Sequence, residues 1–303
     1  MSGSTTLEIK RNRLQPRNGK RESKGLWGDV FKRLIRSKSA LTGLILVAVF
    51  LLVALCAPLI APYDPITDSD LVKRLEAPSS EHIMGRDSQG RDIFSRIIYG
   101  ARISVQIGVI SVSFSLVLGV VLGAIAGFYG KWLDGLIMRL MDILLAFPSV
   151  LLAIAITAVL GPELRNAMIA IGVVYTPHFA RIVRSTVLSV KTTEYIEAAR
   201  AIGCSDLRII LRHVLPNCMA PIIVQTTLSI GTAILDAAAL SFLGLGAQPP
   251  TPEWGAMLSD GRSYIQRAPH VMIFPGMAIM FVVLGFNLLG DGLRDALDPR
   301  LKR

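Results

Sequence analysis

Six runs of the chain are almost free of charge and rich in aliphatic residues: Ser39–Tyr63, Ile103–Gly130, Ile143–Pro162, Asn166–Ala180, Val214–Leu235 and Ala268–Gly290. A helix that crosses the hydrocarbon core of a bilayer needs about 20 mostly apolar residues. Five of the six runs reach that length. Asn166–Ala180 is shorter and carries Pro177 and His178, so as a span it needs Arg181 and Arg184 to extend their heads towards the interface. One such run can be a buried helix of a soluble protein; six in one chain leave too little polar surface to hide them. Composition agrees, with 52% hydrophobic and 18% charged residues, against about 25% charged in an average soluble domain. The expected fold class is an all-α, polytopic membrane protein with six transmembrane helices.

Orientation follows from the basic residues, which collect on the cytoplasmic side of a membrane protein. With six spans and both termini cytoplasmic, residues 1–40, the turn at Lys131 and Arg139, residues 181–216 and the tail from Arg294 hold 23 of the 32 Lys and Arg. The opposite orientation reverses that bias. The chain then divides into a basic cytoplasmic arm, 1–38; a first transmembrane helix, 39–61; an external loop, 62–101; a transmembrane domain, 102–290; and a cytoplasmic tail, 291–303. The spans of that domain are expected at about 103–130, 136–162, 166–186, 216–240 and 268–290, with a charged cytoplasmic stretch at 193–216. The arm lacks interleaved aromatics, so its charge suits the lipid bilayer's anionic headgroups and no nucleic acid is expected. Its apolar neighbour is too long for a cleaved leader, and Leu55 rather than a small residue precedes Cys56.

Chemistry-bearing motifs are sparse. Cys56, Cys204 and Cys218 form no CxxC pair, so neither a metal site nor a disulfide is expected. His82, His178, His213 and His270 are isolated, without the HExxH of an intramembrane metalloprotease, and no catalytic residue is assigned. No GxxxxGK[ST] phosphate loop occurs, so ATP cannot be hydrolysed by this chain. Gly119, Gly123 and Gly127 lie four apart on one face of the second span and predict close approach of another helix. Pro148, Pro177, Pro221 and Pro275 fall in or beside spans and predict kinks. In the external loop, Arg91–Tyr99 reads as a short interfacial helix with Ile93, Phe94, Ile97 and Ile98 on its apolar face, or as a surface brace packed on the bundle. Asp236 is an ionisable residue within the fifth span. It either meets the amino group of a passing solute or makes a structural hydrogen bond or pairs with a partner chain. The proline-rich loop with Glu253 and Trp254 reads as a contact for a partner, a cover for a cavity, or a brace. The tail, with Asp291, Arg294, Asp295 and Asp298, reads as an amphipathic cytoplasmic end.

The stretch Glu194–Asn217, EYIEAARAIGCSDLRIILRHVLPN, is charged and helical in pattern, and sits between spans. Thr193 and Ser205 are placed to cap two helices of about ten residues each; Gly203 ends the first, and Pro216 lies near the end of the second. Ala198, Ala199, Ala201 and Gly203 are small, while Ile202, Leu207, Ile209 and Ile210 are apolar at spacings that a solvated linker does not need. The elbow is expected to dock a soluble partner.

Glu197-Ala198-Ala199, then Gly203, then Leu215-Pro216 resembles the signature loop of binding-protein-dependent ABC importer permeases. One departure is His213, where the family pattern has an Ile-like residue. GRDIFSRIIYGAR, ILDAAALSFLGLGAQPPTPEWGAML and FNLLGDGLRDALDP extend the likeness to the C-type permease subunit of dipeptide/oligopeptide importers, over nearly everything after Arg36. The resemblance implies a type I importer fold, a sister permease, two ATPase subunits that bind ATP and Mg, a substrate-binding protein and a peptide substrate. It implies that Glu197, Ala198, Ala199, Gly203, Leu215 and Pro216 form the ATPase-coupling element. Nickel, glutathione or another small solute is the alternative cargo. A secondary transporter or channel would show inverted repeats and more intramembrane charge, and neither is evident.

Overall fold

A computed structural model describes Gly28 and residues 33–297, and is helical with no strand among them; the arm before Gly28 and Asp298 of the tail lie outside the described residues. The helices are α1 (Lys38–Leu55), α2 (Ala57–Ile60), α3 (Ile93–Tyr129), α4 (Lys131–Leu145), α5 (Ser149–Leu160), α6 (Leu164–Val190), α7 (Glu194–Ala201), α8 (Asp206–Ile209), α9 (Leu215–Phe242), α10 (Trp254–Gly261) and α11 (His270–Leu297).

Four helical segments are long and apolar enough to cross a membrane: α1, α3, Asp206–Phe242 and α11. The pair α4 and α5 makes a fifth if counted as one span, bent by 94°. The expected span over 136–162 is thus a bent pair, broken beside Pro148, where a kink was expected. Pro148 has no N–H to donate into a continuing helix, and it disfavours helical backbone at Phe147 before it. α6 is 27 residues long, or about 40 Å at ~1.5 Å per residue, but Arg165, Arg181 and Arg184 leave it less apolar than the other four. By length and composition the count is thus four or five, where six were expected.

The external loop also differs from expectation. No interfacial helix over Arg91–Tyr99 stands apart from the span: α3 runs unbroken for 37 residues from Ile93, with Asp92 capping it by accepting the Ser95 N–H at 2.7 Å. Nothing between Tyr99 and Ile103 interrupts helical hydrogen bonding, and Gly100 there serves packing, lying under the Trp254 indole. The charges before it are buried. Arg91 Nε donates to Asp87 at 2.8 Å, Arg96 Nε lies 3.4 Å from the same carboxylate, and His82 Nδ1 is 2.9 Å from Asp92. Arg91 also comes within 3.8 Å of Asp260 on α10. Burial pushes the Asp260 carboxyl above its usual range, and Arg91 and Arg96 pull it back. Removing one member of such a network leaves an uncompensated charge, at about 3–5 kcal/mol.

The proline-rich loop is a brace. Glu253 and Trp254 are both buried. Glu253 caps α10 by accepting the Ala256 N–H at 2.8 Å, and burial raises its carboxyl pKa while the backbone N–H groups of Gly255 and Ala256 lower it. The Trp254 indole donates to the Ile97 carbonyl at 3.1 Å and packs on Phe50. The lobe before α3, the end of α9 and α10 thus share one end of the bundle. The other end gathers the start of α1 beside Gly292 of α11, the junction of α3 with Lys191, and α7. α11 continues to Leu297, so Asp291, Arg294 and Asp295 belong to the helix and not to a separate tail.

Between these ends α3 and α6 are pressed together. A Cβ on Gly119 would meet Phe179 Cβ and stand 2.8 Å from the Thr176 carbonyl; on Gly123 it would collide with the Ala180 carbonyl; on Gly127 it would stand 2.8 Å from Val187 Cβ. The three glycines face one ridge of α6.

Candidate functional site

The elbow is built from two unequal parts. α7 ends in a paired backbone cap: Gly203 N–H donates to the Arg200 carbonyl at 2.9 Å and Cys204 N–H to the Ala199 carbonyl at 3.0 Å. That cap needs a left-handed residue, and Gly203 sits at φ +82°. Its place after Glu197-Ala198-Ala199 therefore has a local reason. Thr193 and Ser205 occupy the cap positions, but neither side chain makes the cap hydrogen bond; the Thr193 hydroxyl donates instead to the Val190 carbonyl at 2.6 Å. The expected second ten-residue helix is not separate. α8 passes through a wide π-turn, Ile210–Val214, directly into α9. Pro216 supplies no N–H to the Arg212 carbonyl, and the widened turn lets the helix continue past it.

The apolar residues of the elbow split between two faces. Ile196, Ala199, Ile209, Ile210 and Val214 pack inward on Phe128 of α3 and on Val183 and Val187 of α6. Ala199, expected on the docking surface, is therefore a core contact. Ile202 (80% exposed) and Leu207 (66%) point outward, with Tyr195 and Leu211 beside them. Glu197, Ala198, Ala201, Gly203 and Pro216 are exposed on the same segment, and Leu215 is half-buried. A Cβ on Gly203 would meet nothing within 4 Å. The elbow is fixed from behind by its core contacts and presents a small-residue, apolar face in front.

Two ion pairs tie α4 to α6. Arg184 clasps Asp134 through Nε at 2.5 Å and NH2 at 2.6 Å, and Arg181 reaches Asp142 at 2.6 Å. Arg181 and Arg184, read as extending to the interface, are thus held to a neighbouring helix. The opposite face of α4 leaves Trp132, Leu136, Leu140 and Ile143 exposed.

A polar seam runs along α9. Gln225, Ser229, Thr232 and Asp236 are spaced four, three and four apart, which places them on one helix face. Gln225 Nε2 donates to Ser229 Oγ at 3.1 Å, and the Tyr175 hydroxyl of α6 donates to Asp236 Oδ2 at 2.8 Å. Towards the elbow the seam opens into a cavity of about 580 Å³ lined by Asn217, Pro221 and Gln225 of α9, Ile182 of α6 and Arg294 of α11. Sequence reasoning singled out Asp236 and missed Tyr175, Thr232, Ser229 and Gln225. The helical spacing of the α9 polar residues was the available signal.

A bundle of this kind, with an elbow between two of its long helices, is the fold of a type I ABC importer permease. Solved inward-facing structures of the MetNI methionine ABC transporter share it, one at TM-score 0.55 and 19% identity over 68% of this chain and 98% of that chain. The chain belongs to the family described as the inner membrane component of binding-protein-dependent transport systems, whose model matches residues 119–303. Residues 25–78 match the N-terminal transmembrane domain of oligopeptide transport permease C. The dipeptide transport system permease protein DppC of Alkalihalophilus pseudofirmus is 57% identical over 276 residues, 91% of this chain and 90% of its own. The glutathione transport system permease protein GsiD of Escherichia coli is 51% identical over 91% of each chain, and that of Pectobacterium atrosepticum is 48% identical over 91% and 92%. The protein is accordingly a permease component of an ABC importer in the cytoplasmic membrane.

Proposed function

We propose that this permease carries dipeptides and short oligopeptides across the membrane. In this reading it pairs with a sister permease, receives cargo from a substrate-binding protein and takes energy from two ATPase subunits, which hold ATP and Mg. The 57% identity to a dipeptide permease over nine-tenths of the chain carries the choice of cargo. α6 counts as a pass in this reading, giving six. The exposed face of α7 and α8 is the ATPase-coupling element, with Glu197, Ala198, Gly203 and Pro216 at its surface, Leu215 at the join and Ala199 holding it from behind. Asp236 and the seam below it face the path. The sequence holds no GxxxxGK[ST] phosphate loop, and in this reading hydrolysis belongs to the partners.

The test is reconstitution. The chain alone in proteoliposomes is expected to hydrolyse no ATP and to move no dialanine. With the sister permease, both ATPases and loaded binding protein it is expected to do both. Hydrolysis by the chain alone would remove the importer reading. Glutathione is the second cargo, favoured by the 51% identity to a glutathione permease; competition between labelled dialanine and glutathione separates the two.

A further inference from the structure

Asp236 is half-buried on a helix that crosses the membrane, and none of the ion pairs among the described residues includes it. A carboxylate at this depth is too costly to leave against hydrocarbon, so it faces a bundle interior, a watery path or a cation. Asp236 is partly exposed, so its side of α9 is not closed off by the chain itself.

The groups around it have one chemical sense. The Tyr175 hydroxyl spends its hydrogen on Asp236 Oδ2, which leaves the phenol oxygen's lone pairs and Asp236 Oδ1 as acceptors. The Thr232 hydroxyl lies one turn before Asp236 on the same face of α9. It turns its hydrogen back to its own helix, onto the Leu228 and Ser229 carbonyls at 3.3 and 3.1 Å, and so presents lone pairs. Three oxygens from two helices are thus left as acceptors beside one negative charge, with the His178 ring of α6 at 6.1 Å from the Tyr175 ring as the neighbouring polar group. A primary ammonium carries one positive charge and three N–H donors, and matches that set. A carboxylate or phosphate is repelled by it.

We infer that Asp236, Tyr175 and Thr232 form a subsite for a primary ammonium group within the translocation path. Resting on the peptide reading above, the group is the amino terminus of the cargo. The subsite holds it at the external part of the seam, while Ser229 and Gln225 lead towards the 580 Å³ cavity at the elbow end. Tyr175 is a positioning residue: its hydrogen bond fixes which carboxylate oxygen stays free.

The experiment uses the full complex in proteoliposomes with dialanine as probe, comparing wild type with Asp236→Asn, Asp236→Glu and Tyr175→Phe. Asp236→Asn keeps the size and loses the charge. Uptake is expected to fall about tenfold or more, as when a hydrogen bond to a charged group is lost. Copurified sister permease and ATPases are expected to stay at wild-type levels, which separates a lost cargo contact from lost assembly. Asp236→Glu is expected to keep most of the uptake, and Tyr175→Phe to lose less than Asp236→Asn. Normal uptake by Asp236→Asn overturns the subsite. Loss of the sister permease from both Asp236 variants overturns it too, since the carboxylate would then be an inter-subunit contact. If the wild-type complex moves glutathione and not dialanine, the peptide reading falls, and the subsite is judged on glutathione, which also carries a primary ammonium. A cargo with no ammonium overturns both.

Discussion

Gly203 is the residue at which conformation and surface meet. Its φ of +82° closes the cap that ends α7, and space around it is open within the chain. A side chain there therefore strains the backbone, by about 1–2 kcal/mol in the left-handed region, and projects outward rather than into the core. Gly203→Val is expected to abolish peptide uptake and to release the ATPases from the purified complex. Membrane insertion should be unaffected, because the apolar runs are untouched. Glu197 is exposed six residues earlier; Glu197→Ala is expected to be milder, losing about 1–3 kcal/mol of docking energy, the range for a truncated hydrogen-bonding partner. Both variants are read by ATPase copurification and uptake. Normal values for Gly203→Val would move the coupling contact elsewhere. Ala199 teaches the converse: it belongs to the same motif but is buried against α3 and α6, so its smallness serves the elbow's seat.

At the scale of elements, the glycine triad makes the sharpest claim. Gly123 lies where a side chain would collide with backbone of α6 rather than with the movable end of a side chain. Gly123→Leu is expected to force α3 and α6 apart and to lower stability by about 1–3 kcal/mol, the usual penalty for overpacking. Gly135, with nothing within 4 Å of its Cβ position, is the control, and Gly135→Ala is expected to be neutral or slightly stabilising. Thermal unfolding in detergent reads both, and equal midpoints for Gly123→Leu and wild type would refute the packing claim. This contact was legible in the sequence because small residues four apart mark a helix face directly. The break at Pro148 was half legible: the proline was visible, but its local sequence does not set the 94° angle, and the ion pairs that hold α4 on α6 join residues some forty to fifty positions apart. The merger of α8 with α9 was not legible. Pro216 reads as a stop, and only a π-turn, which has no sequence signal of its own, carries the helix past it. For the external lobe the interfacial helix fails and the brace on the bundle holds, for a related reason. Its arginines and aspartates have the composition of a solvated loop, and only their mutual pairing makes burial tolerable.

For the whole molecule, the question is which end faces the cytoplasm. Basic residues and the elbow agree. The end that holds the start of α1, Lys191, α7 and Arg294 is the end to which the charge bias assigns the cytosol, and the opposite end holds the ion-paired lobe and α10. The lobe is anchored to α10 through Arg91 and Asp260 and through Arg96, which donates to the Pro250 carbonyl at 3.3 Å. One loop cannot then change sides without the other. Single cysteines read this arrangement in a background where Cys56, Cys204 and Cys218 are alanine. Lys73→Cys and Ser80→Cys, on exposed positions of the lobe, are expected to react with a membrane-impermeant maleimide added to intact cells. Ala201→Cys and Asp206→Cys, on the exposed face of the elbow, are expected to react only after the membrane is opened. The pattern also tests the pass count: with α6 crossing, the Leu160–Leu164 turn lies outside, so Glu163→Cys labels with the lobe. If Glu163→Cys reacts only from the cytosol while Lys73→Cys still labels from outside, α4, α5 and α6 form a re-entrant unit and the chain crosses four times. Labelling of Ala201→Cys in intact cells would invert the whole assignment, because an elbow outside the cell has no ATPase to meet.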